Sequence, residues 1–321
     1  MINIDGSAGE GGGQVIRTAL TLASITHKEV SIDNIRAGRP NPGLQPQHLM
    51  ACKAVRNVCR GALEGAELGS RTLVFRPGEI VGGKYDFDIG TAGSVTLVAQ
   101  TLIPILLGAS KESEMRITGG THVMKSPGYD YFENVFLPAI RHMGASVESE
   151  IIRPGFYPRG GGRIELKVMP SKLSGKTEWP HDDHVQALIR LADLPMLIAV
   201  REKKVFVQNG IEHVRVFEDK GCGPGNCVTA WHGLLGAYAI GEKGKRSEAV
   251  GQEAVDALKK EEKSDVDMHL ADQLLLYAAL ADGKTSYATS EITEHLKTNA
   301  LIIQKFINRK ITMEGNRVEI D

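Results

Sequence analysis

Apolar and polar positions along the chain fall into two alternating periods. The strand pattern INID comes first, and a helical pattern follows from about Gly13 to Ile25, in which Val15, Ala19 and Leu22 share one face with Ile16, Leu20 and Ala23. Strand VSIDNI, the polar loop RAGRPNPGLQPQ and a second helix come next, the helix carrying Cys52, Val55, Cys59 and Ala62 as its apolar stripe. Two short strands ending in TLVF close the unit. The same order then recurs: strand YDFDI, loop GTAGS, helix Val95 to Leu107, strand MRIT, loop GGTHVMKSPG, helix Tyr129 to His142, and strands SVESEII and RIELKV. A third copy near the C-terminus reads as helix Leu270 to Ala281, strand SYATS, loop EITEHLKTN, helix Ala300 to Asn308 and hairpin ITMEGNRVEI.

Three βαβαββ units are therefore expected, each laying two helices on a four-stranded sheet. The pattern breaks between the second and third copies. That stretch has its own helix at HVQALIRLAD, strands VRVFE, NCVTAWHG and GAYAIG, and a charged helix SEAVGQEAVDALKKEEK. The expected fold class is α/β (α+β): a large domain of residues 1–170 and 265–321, and a smaller inserted α/β domain of residues 171–264. A chain of 321 residues agrees with two domains.

Composition narrows the function classes. A net charge of −1 excludes a protein that coats nucleic acid through overall basicity, so any such contact is local. The apolar run Thr101 to Ala109 contains Pro104 and is too short to span a bilayer, and no basic segment followed by an apolar core opens the chain. The expectation is a soluble cytoplasmic protein without membrane contact. Cys52 and Cys59 sit two turns apart on one helix, roughly 10 Å along its axis at 1.5 Å per residue, too far to bridge. Cys222 and Cys227 flank GPGN at a spacing that matches no common zinc pattern.

Superposing the repeats brings three loops into register, each between a central strand and the second helix of its unit. Helix N-termini there favour anions. The first loop supplies Arg36 and Arg39, with Gln47 where the next helix starts, and Arg17 lies one turn into the first helix. Guanidinium groups suit a forked grip on phosphate. The third loop supplies His295, with Thr298 and Asn299 placed to cap the next helix; His122, in the second loop, competes with it. Asp272, in LADQ, sits near the start of a helix where it orients an imidazole, holds a metal or merely complements the helix dipole. The glycine cluster GSAGEGGGQVIR fits neither a dinucleotide fingerprint nor a P-loop, and it carries Glu10 where a phosphate cradle would carry Lys.

Across essentially the whole chain, GEGGGQVIR, IRAGRPNPGLQPQHL, GAELGS, FRPG, IGTAGSVTLVAQ, GGT, GFYPRGGG, GPGN, LADQL and HLKTN resemble the RNA 3′-terminal phosphate cyclase family, in its catalytic, archaeal- and bacterial-like form. One departure is local: the family usually has His or Arg before the first Gly of the GFYPRGGG stretch, and here Pro154 stands there with Arg153 one residue upstream. The resemblance implies three βαβαββ units with an inserted domain, and ATP-dependent conversion of an RNA 3′-phosphate to a 2′,3′-cyclic phosphate through a covalent histidine–AMP and an RNA-adenylate anhydride. This is a ligase-class nucleotidyl transfer in RNA processing. By resemblance the nucleophile falls on His295, active-site positions on Arg17, Arg36, Arg39 and Asp272, nucleotide contacts on Gln47, Gln100, Gly11, Gly12, Gly13, Asp272 and His295, and the metal-binding carboxylate on Glu10. ATP, Mg²⁺ or Mn²⁺, RNA with a 3′-phosphate end and a homodimer are the implied partners. Two rival classes are a non-catalytic cyclase-like ribosome-assembly factor, which lacks the nucleophile, and an enolpyruvyl transferase, which doubles the architecture to six units.

Overall fold

The computed structural model describes residues 1–321. The first unit comprises β1 (Ile2–Asp5), α1 (Gly13–Thr26), β2 (Val30–Asp33), α2 (Pro46–Val58), β3 (Ala62–Glu64) and β4 (Leu73–Arg76), with sheet order β1-β2-β4-β3. The second repeats it: β5 (Lys84–Asp88), α3 (Val95–Leu107), β6 (Ser113–Gly119), then α4 (Tyr129–Tyr131) running through a π-helical turn at Phe132–Phe136 into α5 (Leu137–His142), β7 (Ser146–Arg153) and β8 (Gly162–Met169), ordered β5-β6-β8-β7. In both, the first two strands are parallel and the returning strands antiparallel. Ala62 is exposed and begins β3; the buried stripe of α2 ends at its cap, Cys59.

The intervening segment holds β9 (Gln186–Ala192), α6 (Leu197–Gln208), β10 (His213–Asp219), β11 (Gly225–His232), β12 (Leu235–Ile240) and α7 (Ser247–Lys259), with order β10-β9-β11-β12. Residues 186–192, expected as a helix, are instead a central strand. Ala187, Ile189 and Leu191 face a separate apolar cluster that includes α6 and α7 residues, while Leu188 joins the main core and Arg190 reaches Asp130. Burial of both faces puts apolar residues on both sides of the strand, broken only by Arg190, and a short run of that kind carries no clear period to tell strand from helix.

The third unit comprises α8 (Met268–Leu280), β13 (Thr285–Ala288), α9 (Glu294–Phe306), β14 (Ile311–Glu314) and β15 (Arg317–Ile320), and its sheet has three strands, β13-β15-β14. In place of the fourth, Ser174 bridges Asp282 in parallel, and the Ser286 N–H donates to Lys176 O at 2.9 Å. The chain thus passes along the edge of the third sheet before entering the intervening segment, which interrupts this unit between its first extended stretch and α8. A continuous core runs through all three units. At its centre α1 packs against α2, α3 and α9, so both of its faces are buried, not one. No helix is long and apolar enough to cross a membrane.

Asp267 joins these parts. It is fully buried and caps α8 by accepting from the His269 and Leu270 N–H groups at 2.9 Å each. It also accepts from Tyr131 Oη at 2.7 Å and from the Gly236 N–H at 3.0 Å, in β12. Asp267→Ala removes the cap and leaves a buried hydroxyl and a buried N–H without partners, so we expect a loss of at least about 3 kcal/mol. Urea unfolding checks this; a loss below about 1 kcal/mol would contradict it.

Candidate active site

The three loops do converge. They line one cleft of about 830 Å³, to which the first contributes Arg36 and Arg39, the second Lys125 and Ser126, and the third His295. Arg17 and Gln47 also line it, as do Gln100 and Asp272 from α3 and α8.

His295 lies not in a loop but in the first turn of α9, because Thr293 caps that helix, its Oγ1 accepting from the Leu296 N–H at 3.0 Å. Thr298 and Asn299 are inside the helix, where Asn299 Oδ1 accepts from Thr18 Oγ1 at 3.0 Å. Asp272 does not touch the imidazole. Its Oδ1 accepts from Thr293 Oγ1 at 2.5 Å, and its backbone oxygen accepts from Asn299 Nδ2 at 3.1 Å, so it fixes the helix start that carries His295. Burial pushes Asp272 up to about 7, against the Thr293 hydrogen bond.

The glycine cluster lies directly beneath. Gly9 has φ +58°, and a Cβ there would fall 2.0 Å from Thr298 Oγ1; one at Gly13 would fall 2.2 Å from His48 Nε2. These two glycines admit neighbouring protein groups. Gly12 is open towards Arg39 and His295 and lines the cleft with Gly13, whereas Gly11 turns the chain behind the cleft wall. Glu10 pairs with Arg39 at 3.1 Å, and its Oε2 is 3.0 Å from His295 Nδ1, a nitrogen that makes no aligned hydrogen bond.

The first loop holds Arg36 through its own backbone, whereas Arg39 is held by Glu10. Arg36 Nη1 donates to Gly43 O at 3.1 Å and also to Asn41 O. Gln47 Oε1 accepts from the Ser94 N–H at 3.1 Å, tying this loop to the second unit, and Gln100 Nε2 donates to Gln273 Oε1. Desolvation lowers Arg17 to about 10, which leaves it cationic at neutral pH. His48, a cleft residue that the sequence patterns did not single out, is neutral: burial, then Arg17 and Arg36, lower it to about 3, and its Nδ1 accepts from the Gln45 N–H at 3.2 Å. Only its place in the LQPQH stretch beside the arginines signals it.

His122 is excluded as a reactive group. It is fully buried, with Nε2 2.9 Å from Asp130 Oδ2 and Nδ1 2.8 Å from Thr121 Oγ1. Arg190 Nη2 donates to the same Asp130 at 2.8 Å and Nη1 to Asp219 Oδ2 at 2.5 Å, joining the intervening segment to the second unit. Burial would raise Asp130, but His122 and Arg190 prevail and hold it well below the usual carboxylate range.

Fold and cleft define a class first: an α/β protein of three repeats whose converging loops build one cation-rich cleft around an accessible histidine. A profile of the RNA 3′-terminal phosphate cyclase family matches residues 8–313. The chain is 44% identical over 327 residues to the RNA 3′-terminal phosphate cyclase of Archaeoglobus fulgidus, covering 100% of both chains. It is 40% identical to the enzymes of that name from Nitrosospira multiformis, over 100% of this chain and 96% of that one, and from Pyrococcus furiosus, over 98% and 96%. The chain belongs to the RNA 3′-terminal phosphate cyclase family. Among solved structures, an EPSP synthase from Acinetobacter baumannii aligns with 96% of this chain and 44% of its own at 14% identity and a TM-score of 0.40.

His295 is held below the ordinary histidine value of 6.5 by desolvation, which outweighs the raising effect of Glu10; Arg39 and Arg17 lower it further. Glu10→Gln is therefore expected to move its midpoint further to acid, and Arg39→Gln to move it up. Imidazole NMR titration measures both, and a wild-type midpoint above 6.5 would contradict the account.

Proposed function

We propose that this chain catalyses ATP-dependent cyclisation of RNA 3′-phosphate ends, with His295 as the nucleophile. The observation that carries the reading is a single one: His295, neutral at pH 7, sits in a cleft with Arg17, Arg36 and Arg39. A neutral imidazole has a lone pair to attack phosphorus, and three guanidiniums neutralise the oxygens around it.

With the proton on Nδ1, the nitrogen 3.0 Å from Glu10 Oε2, Nε2 attacks the α-phosphorus of ATP. An N–P bond forms, the bond to the bridging oxygen breaks and pyrophosphate leaves. An oxygen of the RNA 3′-phosphate then attacks the same phosphorus, the N–P bond breaks and an anhydride joins RNA to AMP. Finally the adjacent 2′-OH, losing its proton, attacks the RNA phosphorus; AMP leaves and the ring closes. Adenylation is needed because a terminal phosphate has no good leaving group. Arg36, held by the Asn41 and Gly43 carbonyls, and Arg39, paired with Glu10, stand with Arg17 in the same cleft, suited to neutralise the charge as it moves.

The donor set bears on the metal. No three His, Cys, Asp or Glu side chains come together as a protein-only site. Glu10 is a single, half-exposed hard oxygen donor at the cleft edge. That fits Mg²⁺ or Mn²⁺ shared with phosphate oxygens and water, where the ion would supply charge neutralisation. Asp272 serves by holding the Thr293 cap, and Gln47 and Gln100 by shaping the cleft walls between units.

An RNA bearing a 3′-phosphate, incubated with ATP and Mg²⁺, is expected to acquire a phosphatase-resistant cyclic end, and His295→Ala to reduce this to background. A wild-type protein that leaves the 3′-phosphate unchanged would sink the proposal. Glu10→Ala is expected to lose most activity at low Mg²⁺ and to recover part at high Mg²⁺. Equal loss at every concentration would assign Glu10 to the turn alone.

A further inference from the structure

The GFYPRGGG motif, residues 155–162, has no part in that chemistry, yet it packs against Thr91, one of the residues that line the cleft. It connects β7 to β8. Its base is fixed from several sides. Phe156 stacks on the buried His122 ring at 5.2 Å, and Gly155 O accepts from the Thr121 and His122 N–H groups at 2.8 and 3.2 Å. Gly160 lies so close to the turn at Thr91, a cleft-lining residue, that a Cβ there would be 2.7 Å from Ala92 Cα.

The tip is the opposite. Tyr157 is 76% exposed, more than any other large hydrophobic side chain in the protein. Two exposed arginines flank it, and both are oriented by carbonyls: Arg153 donates to Gly161 O from Nε and Nη2 at 3.1 and 2.7 Å, and Arg159 Nη1 donates to Cys222 O at 3.1 Å. Neither is among the ion pairs, nor is Lys125, exposed on the second loop where it lines the cleft. Carbonyl partners aim a guanidinium without cancelling its charge. An exposed aromatic ring on a fixed base, flanked in the chain by un-neutralised cations and next to the cleft-lining turn at Thr91, has the make-up of a single-strand nucleic-acid platform: the ring stacks on a base of any sequence and the cations meet the backbone.

We propose that Tyr157, Arg153 and Arg159 form the track that holds the nucleotides immediately upstream of the RNA terminal phosphate. The inference rests on the cyclase reading and extends it to how the RNA body is gripped. It predicts little sequence preference, because every base offers a face to stack on.

The test is the affinity of wild type, Tyr157→Ala and Tyr157→Phe for a short fluorescent oligouridylate with a 3′-phosphate, measured by anisotropy. Loss of one stacked base is expected to weaken binding by roughly tenfold in Tyr157→Ala, with thermal unfolding unchanged, while Tyr157→Phe binds as wild type. Equal affinity of Tyr157→Ala and wild type, or no binding by wild type, overturns the track. A wild type that binds this RNA through Tyr157 but does not cyclise it overturns the cyclase reading and leaves the track standing.

Discussion

The site depends on one close approach, that of the start of α9 to the glycine cluster ahead of α1. Thr298 occupies the space a side chain at Gly9 would need, Gln14 Nε2 donates to His295 O at 3.0 Å, and Thr18 donates to Asn299. These contacts tie the first residues of the chain to the last helix. They place an imidazole from the third unit beside a carboxylate and three arginines from the first. Lose the fit at Gly9, and α9 would have to lift away with His295 on it. The glycines are thus a condition of assembly more than a phosphate cradle in themselves, and Gly12 is the one that leaves room beside the histidine.

Electrostatics follow from that assembly. Arg17, Arg36 and Arg39 are brought together by the fold, and the repulsion between Arg36 and Arg39 is met in part by Glu10. Desolvation first, and then the same cations, lower His295 and His48 from the ordinary histidine value. Three guanidiniums answered by one carboxylate leave a local surplus of positive charge, the condition under which a phosphate group is favoured.

Much of this was legible in the sequence because the repeats impose the same periodicity more than once. Helix α3 and the terminal hairpin fall where the pattern puts them, and the loops converge because equivalent loops of repeated units meet at one end. The failures have physical causes. β9 is buried on both faces and so lacks a period. α6 went unread because its exposed face carries Leu197, Val200 and Val207 while Glu202 lies on its buried face, the reverse of the usual signal. The start of α9 was misplaced because polar residues at a helix N-terminus look like loop, and the capping Thr293 is visible only once its hydroxyl is seen to meet the Leu296 N–H. His48 and Thr293 act through contacts that no spacing rule specifies.

The central claim is that His295 forms a covalent bond to the α-phosphorus of ATP. Peptide mapping by mass spectrometry, on protein incubated with ATP and Mg²⁺ and digested under alkaline conditions, tests it most directly. The account predicts one AMP adduct, on the peptide and residue His295. An adduct on a different side chain, or none while RNA ends are still cyclised, would contradict it.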